Sequence, residues 1–341
     1  VPEIQSLAYV TCRRGGVKAG RAGITSALAA LAALAVLVPA VPVAAQTDAT
    51  VELQQYQPTP FAHRLLRLDG AAVLPLGQYR VGVDADYARG PLAVRETAPV
   101  ILPGNADPDY DLVAHAAGAA LHASFGLGHR LEAAVVVPLT LFQTGESAPG
   151  AAEPSLAGVG NVRLGVKAHL GSWRGLGAGA AVLLVVPGGV GTLTHDPGVG
   201  GEGRLFCELG RGPIEAGLRV GFRLRRETTL YDVRLGSAIG FAIGLGVRLA
   251  ARTAAFAEVA GSTAARRPFG RSTESPVEAL VGVRQRFGRA WLTLAAGPGL
   301  SDGFGSPVFR GVLGLDWASR PPDSDDARPP PAATGSEIAR P

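Results

Sequence analysis

Apolar residues recur at every second position through most of this chain. The pattern is plainest in residues 214–225, IEAGLRVGFRLR, where Ile214, Ala216, Leu218, Val220, Phe222 and Leu224 alternate with Glu215, Gly217, Arg219, Gly221, Arg223 and Arg225. A period of two sends alternate side chains to opposite faces of a strand, whereas on a helix the same order would scatter the charges around the whole circumference. Residues 78–87 repeat it, with Tyr79, Val81, Val83, Ala85 and Tyr87 against Arg80, Gly82, Asp84 and Asp86. Residues 159–170 set Val162, Leu164, Val166, Ala168 and Leu170 against Asn161, Arg163, Gly165, Lys167 and His169. Further strands are predicted at 110–125, 131–142, 176–186, 201–209, 231–243, 253–261, 276–287, 291–297 and 308–317. The total is about twelve, each near the length that a tilted strand needs to cross a bilayer.

Such a strand serves a soluble sandwich with its apolar face inward, or a membrane barrel with that face in lipid. Connection lengths discriminate. GLGH, GSWRG, GRG and GRA are tight, while ARGPLAVRETAPVILPGNADPD, QTGESAPGAAEPSLAG, PGGVGTLTHDPGVG and STAARRPFGRSTES are long and polar. Tight turns at one end and extended loops at the other are the outer-membrane arrangement. The expected fold is therefore all-β: a transmembrane antiparallel β-barrel spanning residues 77–318, with short periplasmic turns and longer extracellular loops. The apolar runs at 176–190 and 237–251 are too short and too glycine-broken for membrane helices.

The ends agree with export. Arg13, Arg14, Lys18 and Arg21 precede an apolar run over residues 24–38, and small residues follow at 43–45, so residues 1–45 read as a signal peptide. Residues 46–76 are polar and proline-broken, and are expected to form a periplasmic lead-in. Residues 319–341, rich in proline and acidic residues, read as an extended tail. The expected location is the outer membrane of a Gram-negative bacterium, with outer-membrane lipid and the barrel-assembly machinery as partners. The last strand ends Leu315-x-Trp317, which looks like the C-terminal strand signal that machinery reads, with its glycine, Gly311, one place out of position.

Composition narrows the chemistry. With 47 glycines, 18% charged residues and a formal charge of +4, the 341-residue chain has no basic stripe for nucleic acid. Of two cysteines, Cys12 falls in the expected signal, leaving Cys207 alone and no disulfide or paired-cysteine metal site. Strand parity assigns Arg80, Asp84, Arg163, Lys167, Glu215, Arg219, Arg223, Arg284, Arg286 and Arg310 to the lumen. Opposite charges there are expected to pair across strands, while the cationic surplus would suit a narrow pore for small anionic solutes. Lumen glycines such as Gly82, Gly165, Gly217 and Gly314 point to open volume. Tyr79, Tyr87, Phe222, Phe241, Trp291, Phe309 and Trp317 are expected on the lipid face, several near strand ends as an aromatic girdle.

An outer-membrane hydrolase is a distant alternative. His115, His122, His169 and His195 are scattered, and neither G-x-S-x-G nor H-E-x-x-H occurs. The loop GTLTHDPG, with His195 and Asp196, falls short of a metal ligand set. No catalytic, cofactor or metal residue is expected, and the chain is read as a non-enzyme.

GAAVLPLGQYRVGVDADYARGPLAV, VVVPLTLFQTG, ESPVEALVGVRQRFG and LTLAAGPGLSDGFGSPVFRGVLGLDW together resemble the barrel region of OmpA-family outer-membrane proteins of myxobacteria and related groups. The similarity covers about residues 53–317. It implies a barrel followed by a linker and a peptidoglycan-binding domain, of which this chain carries the linker. Contact of the tail with peptidoglycan or a periplasmic partner follows from the resemblance. The family's ligand-binding residues lie in its periplasmic domain, so none transfers to a position here. The implied role is structural or envelope-organising, with the passive pore as the alternative.

Overall fold

The computed structural model describes residues 51–61, 65–95, 109–146, 154–230 and 233–320. The expected signal peptide and most of the tail lie outside the described residues. Twelve long strands run antiparallel: β1 (Tyr79–Arg95), β2 (Asp109–Gly126), β3 (Leu131–Thr144), β4 (Val162–Trp173), β5 (Leu176–Val186), β6 (Gly200–Arg211), β7 (Ile214–Leu224), β8 (Ala238–Ala250), β9 (Thr253–Ala264), β10 (Val277–Phe287), β11 (Ala290–Gly297) and β12 (Phe309–Ala318). Each pairs with its sequence neighbours, and β12 pairs back onto β1 from Arg80 opposite Ala318 to Arg89 opposite Phe309, so the sheet closes. Closure removes both sheet edges, the condition for a β structure in hydrocarbon.

The turns sort as the sequence predicts. β4–β5, β6–β7, β8–β9 and β10–β11 are joined by two residues each, at 174–175, 212–213, 251–252 and 288–289, and β2–β3 by 127–130. Arg174 and Gly175 both have positive φ, 48° and 87°, the backbone of a tight hairpin whose twist matches its strands. Every alternate connection is long. One of them, between β7 and β8, carries its own two-stranded ribbon, Thr228–Leu230 against Val233–Leu235. The eighth strand therefore begins at Ala238 and runs to Ala250, rather than starting at 231. The extended pattern of 228–235 belongs to the loop.

The apolar face is outside. On β7, Ile214, Leu218, Val220, Phe222 and Leu224 are all exposed, while Arg219 between them is 9% exposed. On β12, Phe309, Leu313, Leu315 and Trp317 are exposed and Arg310, Val312 and Asp316 are buried. An unbroken belt of exposed aliphatic and aromatic side chains around charged interior residues is unstable in water and stable in lipid. None of the described residues forms a helix long and apolar enough to cross a membrane; the strands cross instead.

The lead-in expected at residues 46–76 is corrected from Val51 onward. These residues run through the barrel. Val51 and Leu53 pack with Leu92, Leu112, Leu193 and Phe304 at the long-loop end. Leu65, Leu66 and Leu68 reach mid-barrel against Ala242, Phe256 and Leu280. The Leu74 amide lies on Glu132 beside the short β2–β3 turn, 3.2 Å away. The segment thus descends from the extracellular mouth to the periplasmic rim, where it turns into β1.

Candidate functional site

The candidate site is the lumen together with the segment that fills it. Wall charges pair first with one another. Arg80 meets Asp316 at 2.6 Å and Arg284 meets the same carboxylate at 3.3 Å. Asp84 lies 3.2 Å from His122. Lys167 and Glu132, both fully buried, are 2.9 Å apart. Arg310 bonds Glu278 at 3.0 Å and also Asp86. Arg80–Asp316, Asp84–His122, Lys167–Glu132 and Arg310–Asp86 join adjacent strands at matching heights on one face, while Arg284–Asp316 and Arg310–Glu278 reach across β11 between β10 and β12.

The segment supplies what the walls lack. Glu52 accepts from Arg163 on β4 at 2.9 Å and from Arg223 on β7 at 2.7 Å, with Asn161 at 3.1 Å. Asp69 accepts from Arg204 on β6 at 3.4 Å and from Thr59 within the segment. On the opposite wall Arg67 donates to Glu278 on β10 at 2.9 Å, and its backbone amide to Glu258 on β9 at 3.1 Å. The segment's acids therefore face the basic β4–β7 wall, and its arginine faces the acidic wall formed by β9 and β10.

Several of its backbone groups are met by wall side chains, and its described residues form no helix or strand. Lys167 donates to the carbonyls of Gly70 (3.2 Å) and Ala72 (2.6 Å), and Glu208 accepts from the Ala71 amide at 3.1 Å. A buried stretch of chain must find such partners, and here wall side chains provide them.

Lumen glycines make the room. A Cβ on Gly165 would come within 2.9 Å of Phe61, one on Gly177 within 2.8 Å of Ala71, and one on Gly244 within 2.6 Å of Leu68. The volume those glycines open is occupied by the segment. Phe61, with no exposed surface, fits a pocket of Ala134, Ala181, Leu183 and Phe206.

Of the residues assigned to the lumen by parity, Arg80, Asp84, Arg163, Lys167, Arg219, Arg284 and Arg310 are buried inside. Arg223 is inside and bonded to the segment. Glu215 sits at the periplasmic rim with Arg248, 3.6 Å away. Arg286 lies there too, 5.7 Å over the Trp291 ring. Trp291 is a correction: it pairs across the sheet with Asp316 and carries Arg284 at 4.7 Å on its face, so it points inward. Of the pairing residues missing from the parity list, Glu52, Arg67 and Asp69 lie in the segment read as outside the barrel, while Asp86, Glu132, Arg204, Glu278 and Asp316 lie on the strands.

The long loop between β5 and β6 closes over the top. Asp196 accepts from Arg223 at 2.8 Å and from the Glu52 amide at 3.1 Å. Burial raises its pKa, but Arg223 and Arg225 outweigh that and hold it below the ordinary carboxylate value. Its neighbour His195 is pushed below the usual imidazole value by burial, against the opposing pull of Asp196 and Glu52.

For hydrolytic chemistry, Ser172 Oγ lies 3.2 Å from His169 Nε2, and His169 Nδ1 is 2.9 Å from the Ala71 carbonyl. The third partner is a peptide oxygen, not the carboxylate that would orient a general base. Among the described residues no group of three or more His, Cys, Asp or Glu side chains is placed to hold a metal.

Closed strand pairing, an apolar exterior and a charged interior define the class: this is a β-barrel of the outer membrane of a Gram-negative bacterium. Comparison with protein-family models and with curated proteins found no match. Among solved structures, the chain is similar to an outer membrane channel from Pseudomonas putida F1, with 14% identity over 73% of this chain and 97% of that one, at a TM-score of 0.56. The NanC porin follows at 8% identity over 70% and 98% of the two chains, with a TM-score of 0.46. LpxR from Salmonella typhimurium matches at 9% identity over 69% and 99%, with a TM-score of 0.37. At these identities the first match establishes the barrel fold and nothing finer.

Proposed function

We propose that this barrel is a passive channel for small solutes, held closed by its own N-terminal segment. One observation carries the reading: the lumen is filled by a separate run of chain, residues 51–61 and 65–76, fastened by ion pairs, hydrogen bonds and small apolar patches. Twelve strands enclose more space than the eight whose own side chains just fill a barrel. Removing the segment would leave Arg163, Arg204, Arg219 and Arg223 along one wall, a lining that favours anions.

The test is conductance in planar bilayers. In a Cys207→Ala background, Leu53→Cys and Leu193→Cys would lock the segment to the outer loop, because the Leu53 amide lies 3.1 Å from the Leu193 carbonyl. The oxidised protein is expected to be silent and the reduced protein to show brief, anion-selective openings. A variant lacking residues 51–72 is expected to conduct continuously. A refolded deletion variant that never conducts would overturn the channel.

That silence would select the second reading, an envelope-organising barrel. The closure of the lumen favours it, as does the resemblance to OmpA-family barrels. Contact of residues 319–341 with peptidoglycan or a periplasmic partner belongs to that reading.

A further inference from the structure

Beside the segment, towards the extracellular end, the lumen keeps a cavity of about 80 Å3 lined by Arg67, Arg219, Arg223, Arg225 and Arg234. One buried water needs roughly 10–15 Å3 of such space, so this cavity has room for several waters or one small anion. Carboxylates at its edge are already engaged, by arginines beyond it and, for Glu278, also by Arg67. Arg204 holds Glu202 at 2.7 Å, Arg266 holds Glu274 at 2.6 Å, and Arg310 holds Glu278 at 3.0 Å.

Of the cavity's arginines, Arg67 also bonds Glu278 at 2.9 Å, and Arg223 bonds Glu52 at 2.7 Å and Asp196 at 2.8 Å, but each keeps a donor unspent and Arg219 has no close carboxylate. Arg219 Nη1, Arg67 Nε and Arg223 Nε are buried and have no hydrogen-bond acceptor among the described residues. Arg219 is 9% exposed, and the Asp69 carboxylate stands 3.9 Å from it, beyond hydrogen-bonding reach. Buried donors without acceptors are costly and uncommon. Three such atoms on guanidinium groups lining one cavity make a concave cationic site with donors to spare.

We propose that this cavity binds a small oxyanion of the phosphate or carboxylate class, held chiefly by Arg219 with Arg67 and Arg223. Planar guanidinium groups suit such anions because they offer paired donors in fixed geometry. Arg67 belongs to the segment, and Arg219 and Arg223 belong to the wall. A bound anion therefore bridges them, relieves their mutual repulsion and fastens the segment in place. This coupling rests on the segment being the closure; the binding itself does not.

Calorimetric titration of the full chain in detergent, with inorganic phosphate and with succinate separately, tests the site without reference to conduction. The expected result is saturable binding of at least one of them at one site per chain. Arg219→Gln is expected to weaken it at least tenfold, Arg219→Lys less, and Arg248→Gln, at the periplasmic rim, not at all. Absence of saturable binding at tens of millimolar overturns the site. So does equal binding by both Arg219 variants, or an equal loss in Arg248→Gln. The coupling is read separately, from thiol labelling of Leu66→Cys in the Cys207→Ala background. Phosphate or succinate, whichever binds, should slow labelling several-fold, and an unchanged rate in the presence of proven binding overturns the coupling alone.

Discussion

Glu52 ties the segment to two wall arginines, and Glu52→Gln is the change that tests the proposed closure. Glu52 is 3% exposed, and its carboxylate meets Arg163 at 2.9 Å, Arg223 at 2.7 Å, Asn161 at 3.1 Å and Gln57 at 3.2 Å. The glutamine keeps the shape but leaves Arg163, itself 2% exposed, without its carboxylate partner. Removing one member of a buried ion pair costs about 3–5 kcal/mol. Arg223 retains Asp196 at 2.8 Å, so the lower figure of about 3 kcal/mol applies. At about 1.4 kcal/mol per tenfold, the released fraction of the segment rises roughly a hundredfold. Leu66 is 3% exposed against the wall, so Leu66→Cys in a Cys207→Ala background reports release by its rate of reaction with a water-soluble maleimide. Where opening and closing outrun labelling, that rate follows the open population. Labelling should be about a hundredfold faster with Glu52→Gln. Glu208→Gln, which weakens a single bond to the Ala71 amide, should have a smaller effect. Equal rates with and without Glu52→Gln, in barrels that both refold, would refute the reasoning and leave apolar packing as the fastening.

Three other outcomes are expected. An epitope inserted directly ahead of Val51 should bind antibody on intact cells, because Val51 packs among the long-loop residues; detection only after permeabilisation would reverse the direction of the segment. Acid should loosen the outer loop in two stages. His195 and Asp196 both have lowered pKa values when folded, so each contributes stability above its unfolded pKa and loses it as pH falls: His195 below its ordinary 6.5 and Asp196 below 3.8. Hydrogen exchange of residues 51–56, corrected for intrinsic rates, should rise from pH 8 to 5, and His195→Gln should flatten that rise. Leu218→Arg, on the lipid face of β7, should destabilise the refolded barrel by about 2–4 kcal/mol if it sits near the bilayer midplane; an unchanged urea midpoint in lipid vesicles would mean that this face does not meet hydrocarbon.

The walls were legible because the bilayer enforces parity. Every slip of one residue would drive charges such as Arg219 and Arg223 into lipid, so alternation survives undiluted and the strands can be counted directly. Misreadings occur where that constraint lapses. Residues 233–235, inside the strand expected from 231, lie instead in a loop ribbon, where either face tolerates either residue. Trp291 is expected on the lipid face with the other aromatics, but Thr293 two places on is buried, which marks that parity as inward. Residues 51–76 were opaque for a different reason. A segment whose amides and carbonyls are met by Lys167, Glu208, Glu132 and Glu258 needs no helix or strand, and so shows no period. Its only outward signs are the apolar run Leu65–Leu66 with Leu68, and glycines at lumen parity that read as empty space.

The kind of fastening bears on what the segment is for. Apolar contacts alone would make it a permanent core, since exposing them on opening carries the full hydrophobic cost. The segment has such contacts, at Phe61 and at Leu65, Leu66 and Leu68, but they are divided into small patches separated by charge. Between them, Glu52, Arg67 and Asp69 each meet an oppositely charged wall group. A buried ion pair adds little net stability, because desolvation consumes most of its Coulomb energy. Water entering the lumen returns that desolvation energy to both partners. Charged fastening therefore fixes the position of the segment closely while keeping the difference between docked and released states small. A structure selected only to seal the barrel would have replaced these pairs with well-packed aliphatic residues, at equal or better stability. Their presence across both walls favours a closure built to be undone.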